Sequence, residues 1–147
     1  MEKKLILLVE DNPDDELLAK RALKKNNISS EVVVVRDGQE AVEYLFCDGR
    51  YSGRDPLVMP HVIFLDLKLP KLDGIDVLKR IRADERTGMI PVVMLTSSNE
   101  ESDIMNCYKN GANSFICKPV DFEQFVEASR QMGTYWLSLN VTPVGLN

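Results

Sequence analysis

The chain has 147 residues, 44% of them hydrophobic, which suits one domain with a real core. Its net charge of −5, from 18 basic and 23 acidic residues with no run of five like charges, excludes a basic nucleic-acid-binding face. Three widely spaced cysteines, Cys47, Cys107 and Cys117, exclude a disulfide framework and a zinc site.

In chain order, short β-rich apolar runs alternate with longer segments whose apolar residues recur every three or four positions. The first run, Leu5–Val9, stops at Glu10-Asp11. It is too short for a signal peptide or a membrane span, so a cytoplasmic protein is expected. A helix follows on Leu17, Leu18, Ala22 and Leu23. Val32–Val35 is the second run, and Ala41, Val42 and Leu45 mark the second helix. The stretch 47–60, rich in Gly, Asp, Arg and Pro, reads as a long loop. Val62–Leu65 is followed by a helix on Ile75, Leu78 and Ile81. Val92–Leu95 is followed by one on Ile104, Met105 and Tyr108. Ser114–Ile116 is followed by one on Phe122, Phe125, Val126 and Ser129. Asp37-Gly38, Asp73-Gly74 and Asn110-Gly111 mark turns, and Pro91 opens a strand. The strand runs do not alternate, as expected where helices cover both faces of a parallel sheet. The expectation is an α/β fold, (βα) five times over, with the final helix extended by Tyr135, Trp136, Leu137 and Leu139. One domain is expected over 1–138, with a tail at 139–147 and no output domain.

Ligands of an open parallel sheet gather at the carboxyl ends of its strands. The first run ends in Glu10-Asp11, the third in Asp66, the fourth in Thr96 and the fifth in Lys118-Pro119. Three carboxylates held together call for a cation, and oxygen ligands beside a phosphate favour Mg²⁺. A carboxylate attacks phosphorus only when the phosphoryl charge is neutralised. Mg²⁺ on Asp11 and Asp66, the Lys118 ammonium and the Thr96 hydroxyl would supply that, leaving Asp66 as the attacking group.

Glu10-Asp11, Asp66 followed by LKLPKLDG, Thr96-Ser97, and Phe115 before Cys117-Lys118-Pro119 together resemble the response-regulator receiver family of two-component systems, over about Lys4 to Gln131. The resemblance implies a flavodoxin-like, doubly wound five-stranded sheet in the order 2-1-3-4-5. It implies Asp66 as phospho-acceptor and Asp11, Asp66 and the Lys68 backbone carbonyl as metal ligands, with Glu10 acting through water. Lys118 and Thr96 would contact the phosphoryl group, Thr96 and Phe115 would move together as a switch, and the Lys118–Pro119 peptide would be cis. The long loop and the aromatic extension resemble the single-domain regulators that partner bacterial, notably cyanobacterial, phytochromes. That narrower resemblance implies a histidine-kinase partner and a homodimer touching through Tyr135, Trp136 and Leu139.

Other readings stand beside these. Glu10 and Asp11 also suit a helix N-cap. Phe115 suits the core, and Tyr135 and Trp136 suit self-packing as well as a dimer. His61, the only histidine, lies before the third strand, away from the strand ends, so the protein is not expected to be its own phospho-donor. A phosphatase of the dehalogenase type would want an acid two residues after the nucleophile, where Lys68 stands. A non-phosphorylated interaction module would not need Asp11, Asp66, Thr96 and Lys118 together. The reading is a phospho-accepting signalling protein rather than an enzyme.

Overall fold

The computed structural model describes residues 4–24, 30–119 and 121–143. Five parallel strands form one sheet in the order β2-β1-β3-β4-β5. They are β1 (Lys4–Val9), β2 (Ser30–Val35), β3 (Val62–Leu65), β4 (Val92–Thr96) and β5 (Ser114–Cys117). The helices are α1 (Pro13–Lys24), α2 (Gly38–Phe46), α3 (Gly74–Ala83), α4 (Glu101–Lys109) and α5 (Phe122–Thr134). Fold class and strand order are those expected, and each apolar run sits in a strand.

Successive strand residues point to opposite faces of the sheet, and both faces are covered. Leu7, Val9, Ile63 and Leu65 pack with Leu45, Leu78 and Ile81 of α2 and α3. Ile6, Leu8, Val62 and Phe64 pack with Leu23, Phe125 and Met132 of α1 and α5. The central strands β3 and β4 are buried throughout, whereas the edge strands β2 and β5 are only partly so. Register places Val9 beside both Val35 and Leu65, so β1 and β3 end level and deliver Glu10 and Asp66 side by side. At the opposite edge, Thr96 pairs with Cys117 in the same way, and Lys118 follows.

Two of the expected turns are helix starts, and the third, Asn110-Gly111, closes α4. Asp37 caps α2 and Asp73 caps α3, each carboxylate accepting from the backbone N–H three residues on. The loop 47–60 carries a short 3-10 turn at Gly49–Tyr51 and is held against α2. Tyr51 meets Tyr44 edge-on, while Arg54 lies 4.3 Å over the Tyr44 ring and donates to the Tyr44 carbonyl.

Several expectations change. No described peptide bond is cis, so Lys118–Pro119 is trans, the form favoured even before proline. Met105 and Tyr108 of α4 and Phe122 of α5 are exposed, and Cys107 is the only buried residue of α4. Of the cysteines, Cys107 fills core and Cys117 is exposed. The C-terminal extension continues α5 as a π-turn, Tyr135–Leu139. There Leu137 is buried and Trp136 packs on the α1/α5 core, with Tyr135 edge-on to it. Of the tail, residues 144–147 lie outside the described residues.

Gly74 is where the sheet and the loop after β3 come closest. A Cβ there would lie 2.3 Å from the Asp66 carbonyl oxygen and 2.8 Å from the Leu67 Cα, backbone atoms that cannot swing aside. Gly74→Ala is therefore expected to lower stability by about 1–3 kcal/mol, the usual cost of overpacking. Urea unfolding measures this, and an unchanged midpoint would contradict the tight packing described.

Candidate functional site

Helix α1 begins on Asn12, whose side-chain oxygen accepts from the Asp14 and Asp15 backbone N–H groups. Asn12 is thus the cap, and the two acids before it are left for other work. Glu10 is 2% exposed and accepts from the Asn12 N–H. Asp11 is exposed to solvent. Asp66 is buried, and its Oδ1 accepts from the Lys68 N–H at 3.3 Å, which places exposed Lys68 at the rim of the same crevice. One carboxylate oxygen from each of Glu10, Asp11 and Asp66 lies within 4.8 Å of the others.

Lys118 reaches this cluster from the end of β5. Its Nζ lies 2.6 Å from Glu10 Oε1, 2.9 Å from Asp15 Oδ2 and 3.2 Å from Asp66 Oδ2. An ammonium has three N–H donors and no acceptor, so three carboxylates saturate it. Burial alone would pull the Lys118 pKa down, but the hydrogen bond to Glu10 and the charges of Asp66 and Glu10 outweigh it and hold the ammonium protonated. Burial pushes Glu10 up out of the usual carboxylate range, with Asp66 adding to the rise and Lys118 opposing it.

Thr96 is fully buried, and its hydroxyl oxygen accepts from the Ser98 N–H at 3.3 Å. Ser98 donates in turn to Asp103 of α4 at 2.5 Å, linking the end of β4 to the next helix. Phe115 is half-buried against the α2/α3 core. The sheet thus brings together Glu10, Asp11, Asp66 and Lys118, with Thr96 one residue beyond the level of Asp66 on the next strand. Tyr135, Trp136 and Leu139 belong to the remote end of α5, and Tyr135 and Leu139 are exposed. His61 is tied to the start of β1, its Nδ1 accepting from the Leu5 N–H, at the far end of the sheet from the cluster.

Sequence reasoning does not single out Asp15. Its neighbours Asp14 and Glu16 make the first turn of α1 uniformly acidic, a pattern that complements the helix dipole and hides one specific contact among three equivalent acids.

A doubly wound sheet with clustered acids and a lysine at its strand ends defines a receiver. The chain belongs to the response regulator receiver domain family, whose sequence pattern matches residues 6–130. Among curated relatives, the probable methanogenesis regulatory protein FilR2 of Methanothrix harundinacea is 39% identical, over 95% of this chain and 87% of its own. Response regulator Rcp1 of Synechocystis is 34% identical over 95% and 93%. A crystal structure of Rcp1 in its Mn²⁺-bound form superposes with a TM-score of 0.89, covering 95% of this chain and 99% of that one. That of the phosphorylated cyanobacterial phytochrome response regulator RcpA superposes with a TM-score of 0.91 at 39% identity, covering 97% and 99%.

The three carboxylates fit a divalent cation: all are oxygen donors, and the crevice already gathers a cation of the chain's own. Because burial raises Glu10 towards neutral pH, a proton there competes with a divalent cation in the crevice. Divalent-metal affinity is therefore expected to weaken as pH falls from 8 to 6, with a fraction of a proton released per ion bound at pH 7. Calorimetry in buffers of different ionisation enthalpy measures this, and the release should vanish in Glu10→Gln. An affinity flat across that range would refute the assignment of the proton to Glu10.

Proposed function

We propose that this protein is a response regulator that accepts a phosphoryl group on Asp66 from a partner histidine kinase. The observation that carries the reading is Lys118, whose ammonium reaches Asp66 Oδ2 at 3.2 Å inside a buried carboxylate cluster at the strand ends. Asp66 offers an oxygen to phosphorus, the new O–P bond forms as the P–N bond of a phosphohistidine breaks, and the imidazole leaves. Lys118 takes up charge on one phosphoryl oxygen, and the Thr96 hydroxyl donates to another. Asp11, Asp66 and the Lys68 backbone carbonyl would hold Mg²⁺, with Glu10 reaching it through water; when bound, the ion neutralises phosphoryl charge.

Thr96 also accepts from Ser98, so turning its hydroxyl towards a phosphoryl group loosens the link through Ser98 to Asp103 and α4. Phe115, half-buried on β5 opposite Met94, two residues before Thr96, then turns inward, and the surface around α4 and β5 changes. This is a signalling switch and not an enzyme acting on a separate substrate. The receiver occupies 1–138, with 139–147 as a tail, and works in the cytoplasm.

Likeness to RcpA supports a phytochrome as the partner kinase, while FilR2, as similar in sequence, points to the shared receiver chemistry and not to its input. A homodimer would use exposed Tyr135 and Leu139, with Trp136 held by its own core beneath them.

Intact-mass analysis after incubation with Mg²⁺ and a small acyl phosphate tests the reading. The wild type should gain one labile phosphoryl group and Asp66→Asn none. Lys118→Met, which keeps the stem and removes the charge, should slow uptake about 10²-fold or more. An adduct of equal yield in Asp66→Asn, or none in the wild type, would reject it.

A further inference from the structure

Lys118 has no N–H to spare: Glu10, Asp15 and Asp66 take all three. An incoming phosphoryl oxygen can bond this ammonium only if one carboxylate gives way. Glu10 holds the shortest contact, 2.6 Å, and its side chain is 2% exposed, so it has the least room to move away from Lys118. Asp66 is the group being phosphorylated and stays in the site whatever happens. Asp15 differs from both. Its side chain is 26% exposed and it stands in the first turn of α1, where water can solvate it and the helix dipole favours its charge once released. It also lies outside the set of three carboxylates that can gather a metal ion.

We propose that Asp15 is the releasable partner of Lys118, a positioning residue that competes with the phosphoryl group for the ammonium and so sets how fast Asp66 is phosphorylated. The inference rests on the reading of Asp66 as acceptor. In the step concerned, an Asp66 oxygen forms the O–P bond, the donor's P–O bond breaks, and the donor carboxylate leaves with the electron pair, so no proton need move. Lys118 exchanges its bond to Asp15 for one to a phosphoryl oxygen in the same step. Asp15 therefore adds to the barrier in proportion to its hold on Lys118.

The test measures the rate of phosphorylation by a small acyl phosphate with Mg²⁺, by intact mass at several donor concentrations. It is run on the full chain as wild type, Asp15→Asn, Asp15→Ser, Asp15→Glu and Asp14→Asn. Asp14 is exposed on the same helical turn and is not one of the three carboxylates bonded to Lys118, so its variant carries the same charge change without the bond. Asp15→Asn and Asp15→Ser should both raise the limiting rate about threefold to tenfold, the range of a partly exposed charged hydrogen bond. Affinity for trifluoroberyllate, a phosphoryl stand-in followed by fluorine NMR, should rise by a similar factor. Asp15→Glu, which keeps the charge, and Asp14→Asn should stay within about twofold of wild type. Rates for Asp15→Asn that match Asp14→Asn, or fall below wild type, overturn the inference while leaving Asp66 as acceptor. No adduct in the wild type overturns both.

Discussion

One ammonium ties together the acids of the strand-end crevice and offsets part of their charge. Lys118 is 9% exposed in its side chain and is held by carboxylates from three separate elements: Glu10 after β1, Asp66 after β3 and Asp15 in α1. Without it, three acids would face one another in a poorly solvated space, an arrangement that shifts protons or demands another cation. Removing one partner of such a buried set commonly costs about 3–5 kcal/mol, because the remaining charge stays buried. The same balance makes the site responsive. A cation already shared among three anions can be redistributed when a metal ion or a phosphoryl group arrives, with little movement of the backbone.

The fold's part is to gather the strand ends at one edge and keep local hydrogen bonding from consuming the functional acids. Parallel pairing of Val9 with Leu65 and of Thr96 with Cys117 aligns the ends. Asn12 satisfies the N-terminus of α1, so Glu10 and Asp11 do not have to. Gly74 lets α3 start against the Asp66–Leu67 backbone, which fixes the loop carrying the acceptor. Charge balance, register and capping all favour the same arrangement, and this consistency across levels lets one sequence specify one site.

Much of this is legible in the amino-acid sequence. Fully apolar runs of four to six residues can be covered only on both faces, so β1, β3 and β4 and the α/β class follow from the hydrophobic pattern. Asp66, Thr96 and Lys118 are visible because each ends such a run. What the pattern hides is direction and partnership. Met105, Tyr108 and Phe122 recur at helical spacing yet face outward, since α4 buries only Cys107 and the spacing of a short helix does not say which side meets the sheet. Asp15 is one acid among three in a first turn where acids are favoured on general grounds. Trp136 reads equally as core or contact, and it packs inward while Tyr135 beside it stays half exposed.

Nitrogen-15 NMR of the lysine side chains, on protein free of metal and phosphate, tests most directly whether Lys118 is this shared internal cation. One ammonium resonance is expected whose protons exchange with water far more slowly than those of surface lysines. That resonance should show couplings across hydrogen bonds to the carboxyl carbons of Glu10, Asp15 and Asp66, and it should be lost in Lys118→Met. If Lys118 instead exchanges as fast as the exposed lysines and shows no coupling to any carboxylate, it does not bridge the three acids, and the charge balance on which the site depends must lie elsewhere.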